Sequence, residues 1–150
     1  MKKLKIIPDV VQAGGFETVS PSATVHQAAH RMAERDQGVL PVEDEVGNLV
    51  GVLTERDLAR WMISAGNDPK QALVAQAMTA RPDTLRPDDS ATDALELMRI
   101  RGLTHIPVAG DDGKTVSIVS ALDLCRAVSG EMDAMFQKAQ SEVFDLPHEE

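Results

Sequence analysis

One cysteine, Cys125, stands in a chain of 150 residues, so neither an internal disulfide nor a paired-cysteine metal site is available. Aromatic side chains are nearly as scarce, with three Phe, one Trp and no Tyr. That excludes the stacking platform on which proteins hold single-stranded nucleic acid. Positive charge is also short: 15 Lys and Arg face 24 Asp and Glu, for a net charge of -9. Such a balance disfavours nucleic acid and anionic membranes as partners, although a local pocket can still hold a small anion. No apolar run approaches a membrane span, and Pro8 and Asp9 interrupt the opening "MKKLKIIPDVV" before a signal-peptide core can form. The expected location is the cytoplasm, with no membrane and no nucleic acid among the partners.

What the chain does have is a repeat. A shift of 66 positions pairs Thr18 with Thr84, Pro21 with Pro87, Ala28 with Ala94, Met32 with Met98 and Arg35 with Arg101. The same shift pairs Pro41-Val42 with Pro107-Val108, Gly47 with Gly113, Val50 with Val116, Asp57-Leu58 with Asp123-Leu124 and Arg60 with Arg126. No gap is needed, and a single register with this many identities marks a tandem duplication.

Each copy reads strand, helix, strand, strand, helix. An extended piece ("FETVSP", "PDTLRP") ends in proline, and a helix follows. Its N-cap is Ser22 or Thr24 in the first copy, Asp88 or Ser90 in the second. Val25, Ala28, Ala29 and Met32 line its apolar face; Leu95, Met98 and either Ile100 or Leu103 do so in the second copy. "VLPVE" and "HIPVA" read as strands, "EVGN" and "DDGK" as turns, and "LVGVLT" and "TVSIVS" as buried strands. The polar stretch "SAGNDPKQ" separates the copies. Beyond Gly130 a further helix is expected, with Met132, Met135, Phe136, Ala139 and Val143 on one stripe. The expected boundaries are 8–66 and 74–129 for the copies, 131–144 for the last helix and 145–150 for a frayed tail.

The second helix of each copy opens in a recurring way. "GVLTERD" places Asp57 three residues after Thr54, and "SIVSALD" places Asp123 three residues after Ser120. A hydroxyl at the N-cap and an acid three residues on form a variant capping box, which alone explains one occurrence. Recurrence invites a second reading. A ribose diol presents two adjacent donors to one carboxylate, and helix N–H groups beside it suit a phosphate.

The units "GVLPVEDEVGNLVGVLTERDL" and "GLTHIPVAGDDGKTVSIVSALDL" resemble the CBS domain, named from cystathionine beta-synthase, and the likeness spans residues 8 to 129. The resemblance implies an α/β (α+β) fold in which two repeats of β-α-β-β-α order pack about a pseudo-twofold axis, here followed by a C-terminal helix. It implies two clefts that bind adenosine-containing ligands such as AMP, ADP, ATP, S-adenosylmethionine, NAD(H) or cyclic dinucleotides, as regulatory ligands and not as required cofactors. It further implies a regulatory, energy-sensing module that is no enzyme, and association into homodimers. By family position the ribose and phosphate fall to Thr54, Arg56 and Asp57 in the first copy and to Ser120 and Asp123 in the second. The base pocket falls to Thr18, Val19, Val39, Leu40, Pro41 and Leu53, and to Thr84, Leu85, Thr104, His105, Ile106, Pro107 and Val119. Ordinary core packing is the competing reading of every apolar member.

The copies differ where ligand chemistry is expected. Leu122 replaces Arg56, and Ser117 replaces Gly51, which suggests a narrower second cleft. Thr104 and His105 offer the second copy a phosphate contact where the first has Gly38 and Val39. The family's Met-Thr opening is present at Met78-Thr79, whereas Gly14-Gly15 intrudes near the matching Gln12-Ala13. The two sites need not take the same ligand, and the first suits a phosphorylated nucleotide better.

Other features read plainly. His26 and His30 share a helix face without a third ligand, so no metal is expected. "DDG" at Asp111 is a hairpin turn, and Cys125 is read as buried packing. No Walker loop, nucleophile elbow, HExxH or paired general acid and base occurs. The expectation is a stand-alone CBS-pair sensor that passes its signal to a separate effector protein. A ligand-independent dimerisation scaffold with degenerate clefts is the alternative, and the last helix supplies a contact surface.

Overall fold

The computed structural model describes residues 3–144, with side chains to residue 141. In the first copy, α1 (Val25–Arg35) leads into β1 (Val39–Glu43), β2 (Leu49–Thr54) and α2 (Glu55–Leu58), which continues as a π-helical segment over Ala59–Ser64. A short helix, α3 (Val74–Ala77), and a two-residue strand, β3 (Thr79–Ala80), open the second copy. Then come α4 (Ala91–Arg101), β4 (His105–Ala109), β5 (Thr115–Ser120) and α5 (Ala121–Phe144).

The first helices are matched in length, and both are capped by the later of the two candidates. Thr24 Oγ1 accepts from the Gln27 N–H, and Gln27 Oε1 accepts in return from the Thr24 N–H. Ser90 Oγ accepts from the Asp93 N–H. Asp36 and Gly102 end the two helices in the left-handed region. Val25, Ala28 and Met32 are buried on α1, and Ala91, Ala94 and Met98 on α4. Ile100 is 63% exposed, so Leu103 extends that apolar face, packed against the second core.

The leading extended pieces form one parallel bridge each, Val19 with Val42 and Leu85 with Val108, not strands. Proline explains this. A longer ladder would need an N–H from Pro41 on one side of Val19 and from Pro21 on the other, and neither residue has one. The Gln37 side chain takes over: its amide accepts from the Glu17 N–H and donates to the carbonyls of Glu17 and Val39.

β1 and β2 form an antiparallel hairpin, as do β4 and β5 in identical register. Their turns use Gly47 and Gly113, both at positive φ. "DDG" is therefore the hairpin turn expected.

The segment ahead of each copy crosses to the other. Ala72, Val74 and Ala77 complete the core formed by Val25, Met32, Leu40 and Leu53, and β3 joins β2 as a third strand. Reciprocally, Ile6 is fully buried in the core of Leu85, Met98, Ile106 and Leu124. The hydrogen bonds match: Val74 N–H donates to Ala23 O, and Ile6 N–H to Asp89 O. This exchange gives the two repeats their pseudo-twofold relation.

α5 runs through Gly130 without a break, so the expected last helix is the continuation of the second copy's own. Leu124 is buried, but Cys125 lies a hundred degrees further round the helix and is exposed, which corrects its reading as packing. Met132, Met135 and Phe136 are exposed at 57%, 46% and 65%; the stripe does not fold back on the repeats. Val143's side chain and the tail 145–150 lie outside the described residues.

Candidate functional site

Two clefts open between the copies, and each is built from both. The first, of about 470 Å³, takes Thr54, Arg56 and Asp57 from the first copy. The second copy supplies Thr79, Arg81 and Pro82 from its leading segment, with Leu103, Thr104, His105 and Pro107. The other cleft, of about 240 Å³, takes Ser117, Ser120 and Asp123 from the second copy and faces Gly14, Phe16, Gln37 and Val39 of the first. Gly38 and His105 line both clefts.

The hydroxyl–aspartate pairs are complete capping boxes. Thr54 N–H donates to Asp57 Oδ2 at 2.9 Å, and Asp57 N–H to Thr54 Oγ1 at 3.1 Å. In the second copy Ser120 N–H donates to Asp123 Oδ2, and Asp123 N–H to Ser120 Oγ, both at 3.0 Å. Capping does not exhaust either group. A carboxylate has about four acceptor sites and uses one here, and each hydroxyl accepts while keeping its own proton to donate. Both aspartates are half-buried on a cleft wall with capacity left for a diol.

The base-pocket candidates divide differently in space from their order along the chain. Val39 faces Asp123, while Thr104 and Pro107 share the cleft of Asp57. Val19, Leu40, Pro41, Leu53, Leu85, Ile106 and Val119 lie in the cores and line neither cleft, because four of the five β1 residues are buried, leaving little of the strand to face a cavity. Thr18, whose carbonyl accepts from Arg31, is half-buried, and Thr84 is exposed; neither lines a cleft.

Several wall residues escaped the sequence reading: Arg60, Arg81, Asp83 and Arg101 in the first cleft, Phe16, Asp36 and Gln37 in the second. The repeat offset carries a partial signal, since 36–39 and 102–105 are matched positions. The crossing of the leading segments has no local signal.

His105 sits where the clefts meet. Burial pushes its imidazole below the usual histidine range, opposed by Asp123 from one side and Glu55 from the other. Thr104 Oγ1 lies 3.0 Å from its Nδ1. The Gly51 and Ser117 difference is compensated locally. A Cβ on Gly51 would meet Met78 Sδ at 2.5 Å and Thr79 O at 3.0 Å. In the other copy, where Gln12 takes the place of Thr79, Ser117 is buried and its Oγ donates to Gln12 O at 2.8 Å.

Among the described residues, no group of three His, Cys, Asp or Glu side chains is placed to hold a metal ion. His30 instead pairs with Glu34 on an exposed face. No described helix is long and apolar enough to cross a membrane.

Comparison with known proteins agrees with this architecture. The CBS domain family profile matches twice, over residues 6–64 and 74–130. An uncharacterized 17.7 kDa protein of Acidianus ambivalens is 35% identical over 125 residues, covering 83% of this chain and 74% of that protein. Several other curated relatives are longer, and the match spans less than two thirds of their length. Among solved structures, the conserved CBS domain protein TA0289 of Thermoplasma acidophilum superposes with a TM-score of 0.76 at 27% identity, covering 83% of this chain and 69% of that one. CBSX2, solved in complex with AMP, superposes at 0.67 with 27% identity, over 79% of this chain and 90% of that one. CBSX2 comes from Arabidopsis thaliana.

Proposed function

This chain belongs to the CBS-domain family as a paired regulatory module, and from that premise we propose that it binds adenosine-containing ligands in its two clefts. AMP, ADP, ATP and S-adenosylmethionine are the candidates. The observation that carries this reading is the reciprocal construction of the clefts. Each places a hydroxyl–aspartate pair from one copy against a wall supplied by the other. A ligand that spans the gap touches both copies, so it binds one relative pose better than another and shifts the population towards it. That change of pose, or of assembly in a homodimer, is the signal passed to a separate effector protein. The AMP held by the structural relative CBSX2 supports the ligand class.

Calorimetric titration with adenosine, AMP, ADP, ATP and S-adenosylmethionine tests this, on the wild type and on Asp57→Asn and Asp123→Asn. Asparagine keeps an acceptor for the capping box but loses the anion. The expected result is binding that one or both variants lose while their unliganded melting temperatures stay near wild type. Ligand then stabilises the native fold by mass action, about 2.7 kcal/mol at a hundredfold excess over Kd. Absence of heat or melting shift with every ligand reduces both pairs to helix caps.

One observation favours a second reading, a scaffold that associates regardless of ligand: the exposed Met132, Met135 and Phe136 on α5. Sedimentation velocity with and without ligand separates the two, because a scaffold keeps the same mass in both.

A further inference from the structure

We propose that the Asp57 cleft selects ligands carrying two or more phosphates, that Arg81 is the selecting side chain, and that the Asp123 cleft lacks this preference. The proposal rests on the functional reading above for the nucleoside half of the ligand only.

Charge separates the clefts first. Arg56, Arg60, Arg81 and Arg101 line the Asp57 cleft, against the carboxylates of Glu55, Asp57 and Asp83. The Asp123 cleft is lined by two carboxylates, Asp36 and Asp123, and by no arginine or lysine. Asp83 lies 3.9 Å from Arg101. Among the described residues, Arg56, Arg60 and Arg81 form no ion pair. Three unpaired guanidiniums lining one cleft concentrate positive charge there, and a polyphosphate chain can be shared among them. Each planar fork can take two phosphate oxygens in charge-assisted hydrogen bonds. A chain of two or three phosphates reaches further along a cleft of about 470 Å³ than one phosphate does, and so can engage more of the three.

The backbone at Arg81 supplies a second, independent observation. Its N–H donates to Val50 O, and the matching bond in the other copy runs from Gly14 to Val116 O. Both residues are left-handed, with φ of 49° at Arg81 and 81° at Gly14. Glycine meets that demand without cost, whereas a long side chain is rarely found there. The turn thus carries a disfavoured residue in one cleft only, and that residue brings a guanidinium to the cleft wall. Strain retained at a cavity is the pattern expected of a binding residue.

Titration of the full chain with AMP, ATP and inorganic tripolyphosphate, on the wild type and Arg81→Gly, tests this. The expected result is at least tenfold tighter binding of ATP than of AMP, and tripolyphosphate binding without any nucleoside. Arg81→Gly brings ATP towards AMP and abolishes tripolyphosphate binding. Because the variant restores glycine at positive φ, its melting temperature should be no lower than wild type. Equal affinity for AMP and ATP on the wild type, or a preference that survives in Arg81→Gly, overturns the proposal while leaving the adenosine reading intact. Arg81-dependent binding of tripolyphosphate as tight as that of ATP, with no binding of AMP, does the reverse. If neither nucleotide nor tripolyphosphate binds, both readings fall.

Discussion

The two halves of this protein share a hairpin register, a helix length and a capping box, yet their clefts differ in volume, charge and backbone. Both copies use Pro41 or Pro107 to end a ladder, and Met32 or Met98 to fill a core. The cleft walls diverge too: Arg56 lines the first cleft, whereas Leu122 at the matching position is exposed and lines neither. Duplication supplied a symmetric frame, and substitutions at the walls made two dissimilar sites within it.

Exchanging matched residues is the sharpest way to break that comparison. Gly51→Ser should have the largest effect, destabilising by about 1–3 kcal/mol as an overpacking change, since its Cβ would press on Met78 and on the Thr79 carbonyl. The reverse exchange, Ser117→Gly, removes the bond to Gln12 O and should cost about 1 kcal/mol. Urea unfolding of both variants measures the difference. Equal costs would mean that Met78 moves aside freely and the two walls are interchangeable.

The capping boxes come next. Thr54→Ala and Ser120→Ala should each cost about 1 kcal/mol of stability, although one box opens the four-residue α2 and the other the 24-residue α5. Thermal unfolding compares them. A much larger loss at Ser120 would show that the length of helix behind the cap matters more than the cap itself.

The smallest effect concerns pH. His105 has its folded pKa lowered mainly by burial, so below its unfolded value the unfolded chain binds more protons than the native one. Stability should therefore fall as pH drops through the unfolded value of about 6.5 and continue to fall until the folded value is passed. Replacement by the residue of the matching position, His105→Val, should flatten this part of the profile. Melting temperatures between pH 7.5 and 5 measure it, and a slope unchanged in the variant would assign the titration to another group. Asp123 and Glu55, which face the imidazole from the two clefts, work against the shift and keep the effect small.

Much of the architecture was legible along the chain, and the reason is range. Helix-cap candidates such as Thr24 and Ser90, turns at Gly47 and Gly113, and the Thr54–Asp57 and Ser120–Asp123 boxes depend on residues within one turn of each other. The repeat itself needed only a register. Where reading failed, a single helical step or a missing N–H decided the outcome: Cys125 sits one residue past the buried Leu124, and proline reduced each leading strand to a bridge.

The sequence by itself determined two copies, their first helices and hairpins, and the two hydroxyl–aspartate pairs. Only the tertiary structure decided that Ile6 and Val74 each cross to the opposite core, which requires burying an apolar side chain against residues far away in sequence. That crossing carries Arg81 into the cleft of Asp57 and Gly14 into the cleft of Asp123. Local patterns are set by neighbours in the chain, whereas a cleft is set by whichever distant segment best fills the space beside it.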